Sequence, residues 1–376
     1  MSLYARLVRP VLFAMDAERS HRATVKACCM LGRNALIRGL LDRAYAIDDK
    51  RLRTTVAGMD FPGPIGLAAG FDKNADAIDL VSRLGFGFVE VGSVSEQPSE
   101  GNPARPRIWR LPRDEGLQVF YGCPNDGAPV IAARLRACDS RVPVGVNLVE
   151  TNTGRLASAE HAAAELGAVI GRFIGIADYI VLNLNCPNVP RGGCGLFDEP
   201  AALSLLLKSC ARYSDLPPVF LKLTPPGEPR DPRVIDRIIA AVDDFHFVKG
   251  FILNIPNTNP HETLTTSRSE LEQMRGGITG PSLREPTNNA IRSWYARIDP
   301  TRHALIGVGG ISSAEDAYET IQLGASLVQL YTALVYRGPG LIKHINAGLS
   351  RILEQDGLRT IAEAVGTRNR QNIREI

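Results

Sequence analysis

The densest supply of reactive side chains lies in Tyr179 to Gly193, YIVLNLNCPNVPRGG. Its first half is a short aliphatic run of the kind that forms a strand buried on both faces. Asn185, Cys186 and Pro187 end that run, because proline has no N–H to give to a ladder. Asn183, Cys186 and Asn188 therefore fall where a buried strand opens into a loop. Amides and a thiol held there by a rigid sheet have the arrangement of a catalytic rim. Taken singly, Cys186 reads equally well as a small buried hydrophobe and the asparagines as turn formers. Taken together at one strand end, they read as function.

A second chemical signal is Lys222, which interrupts the apolar run PVFLKLT (218–224). A buried lysine requires an anionic partner. Two glycine-rich segments, RGGITG (275–280) and GVGG (307–310), offer bare backbone N–H groups that a phosphate can approach. Ser312, Ser313 and Glu315 beside the second segment read structurally as a helix cap. A phosphate at one end, with Asn147, Lys222 and the backbone amides near 68 to 70 towards the middle, suits a nucleotide carrying a flat ring. A reduced flavin, negative near N1, is the anion expected for Lys222. No GxGxxG follows the first strand, so a dinucleotide-binding fold has no support.

These residues need elements to position them. From Pro64 onward the chain repeats an apolar run, a polar loop and a helix-like segment. The runs are PIGLAAGF (64–71), FVEVGSV (88–94), PVGVNLV (143–149), YIVLNLN (179–185), PVFLKLT (218–224), GFILNIP (250–256), ALIGVGGI (304–311) and SLVQLYTAL (326–334). Strands alternating with helices pair in parallel, and eight such units close into a (β/α)8 TIM barrel. A doubly wound open sheet is the rival, but it needs no eight units of this regularity. The polar residues fall at the ends of the runs: Lys73, Ser93, Asn147, Asn183 with Cys186, Lys222, Asn254, Gly309 with Gly310, and Tyr331. In such a barrel those ends face one pocket.

Ahead of the barrel, LYARLVRPVLF (3–13) carries an apolar helical stripe, and a second helical segment is expected over Ser20 to Arg43. Basic amphipathic helices of this kind either lie on a membrane surface or pack on the barrel. The expected division is 1–43, N-terminal helices, and 44–376, the barrel. Composition excludes several classes. Hydrophobic residues make up 44% and charged residues 22%, ordinary for a globular protein. A net charge of +3 argues against a general nucleic-acid binder. No apolar run reaches the length of a membrane span. The seven cysteines show no CxxC pairing, which points to reduced thiols in a cytosolic setting rather than zinc or disulfides. No secretory signal is legible.

With these residues assembled, the chain resembles the dihydroorotate dehydrogenases, specifically the quinone-using, membrane-associated class. The resemblance is carried by GLAAGFDKN (66–74), GFGFVEVGSV (85–94), GNPARPRIWRL (101–111), GVNL (145–148), NLNCPN (183–188), GGITGPSL (276–283), IGVGGISS (306–313) and GASLVQLYTAL (324–334). It implies FMN held by Ala69, Gly70, Phe71, Asp72, Lys73, Ser93, Asn147, Asn183, Lys222, Asn254, Gly280, Gly309, Gly310, Tyr331 and Thr332. It implies a quinone tunnel through the N-terminal helices, with His21, Arg110 and Tyr331 along it, on the cytoplasmic face of a membrane. It also implies a general base over the substrate at Cys186, taking a proton while the adjacent carbon gives hydride to the flavin.

The chain departs from its class in the base, which is usually serine; cysteine is similar to the base of the cytosolic, non-quinone class. A thiol, with a free pKa of about 8.5, needs less activation than a hydroxyl. The substrate pocket departs further. Lys73, Asn183 and Asn188 match, but the family's loop asparagine and phenylalanine fall on Val119 and Cys123. Its Asn-Thr pair falls on Ile255 and Pro256, with Asn257 and Thr258 as the alternative pair. Each lost buried hydrogen-bond partner costs about 1 to 3 kcal/mol. Four readings follow: a flavin dehydrogenase for another small carboxylate or cyclic amide, a dihydroorotate dehydrogenase with a rearranged pocket, a non-catalytic FMN-binding relative, and a flavin-free barrel lyase. The oligomeric state is not legible.

Overall fold

The computed structural model describes residues 3–46, 49–155, 157–184, 196–224, 233–254 and 263–369. In chain order its strands are β1 (Thr54–Val56), β2 (Met59–Phe61), β3 (Ile65–Leu67), β4 (Phe88–Val94), β5 (Ile108–Leu111), β6 (Gly116–Val119), β7 (Val144–Leu148), β8 (Tyr179–Asn183), β9 (Val219–Leu223), β10 (Val248–Asn254), β11 (Gly277–Thr279), β12 (Ala304–Val308) and β13 (Leu327–Leu330). Eight of them, β3, β4, β7, β8, β9, β10, β12 and β13, pair in parallel and close into a barrel. Each expected run overlaps one of these strands, β10 starting two residues ahead of its run, so the (β/α)8 TIM barrel stands. Helices such as Ala128–Ala137, Ala159–Ile170, Pro200–Cys210 and Ala314–Gln322 cover the outside. Two smaller sheets complete the β-structure: the hairpin β1–β2, and the antiparallel sheet β11–β6–β5.

The barrel interior follows from the two-residue pleat. Val56, Phe61, Phe88, Tyr179, Phe220, Ile252, Ile306 and Leu327 form one buried apolar cluster. The rings meet edge to face: Phe61 to Phe88 at 5.4 Å, Phe88 to Tyr179 at 6.4 Å and Tyr179 to Phe220 at 5.7 Å between centroids. Glycines on the neighbouring strands make the room. A Cβ on Gly66 would stand 2.3 Å from the Phe88 ring, and one on Gly145 would stand 2.1 Å from the Tyr179 ring. Two residues beyond this floor, in the same pleat phase, come Glu90 after Phe88, Asn147 after Gly145, Lys222 after Phe220 and Gln329 after Leu327. On these four strands the interior therefore changes to polar within one pleat repeat, while Ala68, Val181 and Val308 stay apolar at the same level.

The N-terminal region is helical from Tyr4 through α1 (Arg9–Ala14), followed by α2 (Ala17–Gly32) and α3 (Ala35–Tyr45). The single segment expected over Ser20 to Arg43 is thus two helices. The break comes at Asn34, whose side chain accepts from the N–H groups of Leu36 and Ile37 and starts α3 as its cap. Val25, Cys28, Leu41 and Tyr45 pack on the barrel core. Tyr4 Oη donates to Val335 O at 2.7 Å, and Arg9 donates to Tyr336 O at 3.2 Å. On the opposite side, Leu3, Leu7, Val11, Leu36 and Leu40 are exposed.

Candidate functional site

The polar layer above the aromatic floor is centred on Glu90, whose side chain is fully enclosed. Its Oε1 accepts from Asn147 Nδ2 at 2.8 Å and from Lys222 Nζ at 3.3 Å, and its Oε2 accepts from Gln329 Nε2 at 2.6 Å. Asn147 Oδ1 in turn accepts from Ser93 Oγ at 2.5 Å, and Ser93 Oγ accepts from Asn183 Nδ2 at 3.0 Å. The chain itself thus supplies one anionic partner for Lys222. Sequence reasoning missed both Glu90 and Gln329. The signal was present: each sits in an apolar run at the pleat phase of an inward-facing neighbour, as Lys222 does.

Beside this layer lies a cavity lined by Lys222, Asn254, Gly280, Gly309 and Gly310, together with Ala69, Tyr331 and Thr332. The glycines are needed. Gly309 (φ 125°) and Gly310 (φ 74°) occupy backbone conformations that side chains rarely adopt. A Cβ on Gly310 would stand 2.4 Å from the Arg284 backbone. The cap reading of the adjoining loop holds: Ser313 Oγ accepts from Asp316 N at 3.1 Å, and Asp316 accepts from Ser312 N at 3.0 Å. Bare glycine backbone lining one cavity with a lysine and an amide fits a phosphate-bearing ring with a donor–acceptor edge, so these residues fit FMN.

Other expected contacts are arranged differently. The amides near 68 to 70 are largely engaged within the barrel, since Ala68 N donates to Leu330 O at 3.1 Å and Gly70 N to Gly92 O at 2.8 Å. The buried Asp72 carboxylate accepts from the N–H groups of Asn74, Asp76 and Ala77 and so shapes the loop. Phe71 and Lys73 line a separate cavity of about 780 Å³ under α2. Lys73 Nζ donates to Gly70 O at 2.7 Å and sits 4.3 Å from the centre of the Tyr121 ring. Burial lowers its pKa to about 8, against the charge of Asp72.

His21 and Tyr331 come together, with ring centroids 6.3 Å apart and Phe71 touching both. Burial, reinforced by the charge of Lys73, lowers the His21 pKa to about 3, so the neutral ring donates from Nε2 to Phe71 O at 2.9 Å. Burial also pushes the Tyr331 phenol above its ordinary range. Tyr331 thus belongs both to the glycine-edged cavity and to the contact with α2. Arg110 sits against the end of α1. It donates to the carbonyls of Leu12, Phe13 and Met15 at the end of α1 and lies 4.6 Å from the centre of the Phe13 ring.

Val119 pairs with Ile108 and Gly277 across the small sheet, and its side chain packs against the cluster of Ile108, Leu117, Tyr121 and Tyr336. Cys123 takes a left-handed backbone (φ 56°) and acts electrostatically on Lys73. Cys186, Asn188 and Asn257, together with Ile255, Pro256 and Thr258, lie outside the described residues.

Comparison with known proteins agrees with this architecture. The family model for dihydroorotate dehydrogenase matches residues 51–353. A dihydroorotate dehydrogenase (quinone) of Roseiflexus sp. (strain RS-1) is 39% identical over 370 residues, covering 97% of this chain and 98% of the relative. One of Natronomonas pharaonis is 37% identical over 366 residues, covering 97% and 99%. A crystal structure of DHODH in complex with ferulenol from Eimeria tenella superposes with a TM-score of 0.76 at 27% identity, covering 89% of this chain and 94% of that one. The match spans barrel and N-terminal helices alike, and the chain belongs to the dihydroorotate dehydrogenase family.

Proposed function

We propose that this chain is an FMN-dependent oxidoreductase that oxidises the CH–CH bond of dihydroorotate or a close cyclic analogue and is reoxidised by a quinone. The observation that carries the reading is the convergence of Lys222, Asn147, Ser93 and Asn183 above a closed aromatic floor, beside a cavity that Lys222 and Asn254 line together with Gly280, Gly309 and Gly310. FMN, when bound, supplies the hydride acceptor. Gly280, Gly309, Gly310 and Thr332 would hold its phosphate end, and Lys222, Asn147 and Asn254 would hold its ring.

The remaining work falls to the chain's own side chains. Cys186, three residues past Asn183 at the end of β8, takes the proton from the carbon next to the one that loses hydride. Lys73 binds the anionic part of the substrate, with Asn183, Asn188 and Asn257 as amide partners. Val119 and Cys123 replace side chains that the family uses there, so the pocket grips its ligand with fewer amides.

Quinone approaches through the N-terminal helices, past His21 and Tyr331, with Arg110 holding the end of α1. Residues 1–43 are the docking segment for the cytoplasmic face of a membrane. They carry eight Lys and Arg against three Asp and Glu. Nine of the eleven exposed large apolar side chains among the described residues lie between Leu3 and Leu40. No helix among the described residues is long and apolar enough to cross a membrane. Basic apolar helices of this kind lie in the interface. The test is anaerobic mixing of the yellow protein with dihydroorotate and with its cyclic analogues: bleaching of the flavin band by one of them is expected, and a band that none of them changes sinks the reading.

A further inference from the structure

We propose that Glu90 is a positioning residue of the flavin site, fixing both the net charge and the hydrogen-bond direction of the groups that face the ring. The inference rests on the FMN reading above. Glu90 reaches none of the glycine edge, and its carboxylate is enclosed by Asn147, Lys222 and Gln329. An ionised carboxylate only accepts. Asn147 must therefore turn its amide nitrogen towards Glu90, which leaves Oδ1 for Ser93 Oγ at 2.5 Å. With its proton given to Asn147, Ser93 Oγ has lone pairs left for Asn183 Nδ2 at 3.0 Å. One buried charge thus sets the polarity of a relay running from the middle of the barrel to the end of β8.

The same carboxylate sets the electrostatics. Lys222 Nζ lies 3.3 Å from Glu90 Oε1, so the cavity faces a compensated ion pair rather than a bare cation. Removing the carboxylate while keeping the ammonium makes the site more positive and favours the reduced, more negative form of a bound flavin. Removing both charges takes that preference away. Buried pairs behave in this asymmetric way: loss of one partner leaves an uncompensated charge, whereas joint neutral replacement is tolerated.

The experiment measures the two-electron midpoint potential and the FMN dissociation constant of purified holoprotein. Glu90→Gln is expected to raise the affinity for reduced over oxidised FMN about tenfold, roughly 30 mV for a two-electron couple. Glu90→Asp, which keeps the charge, restores a potential close to that of the unaltered protein. The double variant Glu90→Gln/Lys222→Met falls back to or below that value. A Glu90→Gln protein that holds FMN at an unchanged potential reduces Glu90 to a packing group and overturns the proposal, as do single and double variants shifted in the same direction. Should Glu90→Gln fail to fold, the double variant carries the test, and a double-variant potential above that of the unaltered protein overturns the proposal. If the unaltered chain holds no FMN, the cofactor reading itself fails, a different result from an unresponsive potential.

Discussion

The Arg107 guanidinium meets the Glu18 carboxylate at 2.6 Å, with side-chain exposures of only 4% and 6%. The contact joins α2 to the chain entering β5. Arg105 reaches the same carboxylate at 2.8 Å, and Arg22 joins it from within the helix. Burial alone would raise the Glu18 pKa, but the hydrogen bonds from Arg107 and Arg22 and the charges of Arg107 and Arg105 outweigh it and hold the carboxyl at about 2. Glu18→Ala leaves Arg107 enclosed without its counter-charge, a loss on the order of 3 kcal/mol. The expected result is faster proteolysis within residues 3–46 at an unchanged barrel melting temperature. Unchanged cleavage would remove Glu18 as the latch.

His21 gives the docking of α2 a pH dependence. Its pKa in the fold is about 3, against an ordinary value of 6.5. Below pH 6.5 the unfolded imidazole binds a proton that the folded one refuses, so stability falls as pH drops through 6.5 towards 3. The N-terminal helices should therefore be held less firmly at pH 5 than at pH 7. Hydrogen exchange on α2 at the two pH values checks this, and His21→Phe should flatten the difference.

Lys73 gives an alkaline limit. With a pKa of about 8 in the fold, the ammonium is lost well below its ordinary 10.5. The folded state releases the proton first, so stability rises with pH between about 8 and 10.5 while anion binding declines over the same span. The KM for an anionic substrate should climb about tenfold per pH unit above 8 if Lys73 holds it. A profile for Lys73→Met that keeps the same alkaline limb would reassign that titration.

The two half-reactions should separate by mutation. Cys186→Ala is expected to slow reduction of the flavin by about 10² to 10⁴-fold, the range for loss of a general base, with reoxidation by a soluble quinone intact. Deletion of residues 1–43 should do the reverse. Stopped-flow absorbance follows both, and equal loss of the two half-reactions in the truncated protein counts against a tunnel through the helices.

The barrel was legible because its strands are short apolar runs separated by helical segments, a pattern that survives in one sequence. The inward positions were legible only in part. Lys222 stands out against its neighbours, and Glu90 is equally out of place in FVEVGSV. Their pairing across the barrel, from β4 to β9, joins residues far apart in the chain, and pleat phase says which side chains face inward but not which meet. The amides of Ala68 and Gly70 show the same limit, since their acceptors sit on β13 and β4. The break between α2 and α3 is a local matter, and Asn34 after Gly32 was its signal. Arg110 fell at an expected position but caps α1, a role set by how that helix docks.

The four rings of Phe61, Phe88, Tyr179 and Phe220, fitted against Gly66 and Gly145, act as a stopper. They turn the barrel into a cup with a single lip and no drain. Any molecule that visits the interior must arrive and depart over that lip, which is also where the N-terminal helices settle, so traffic by a water-borne reactant and a lipid-borne one converges on the same narrow neck.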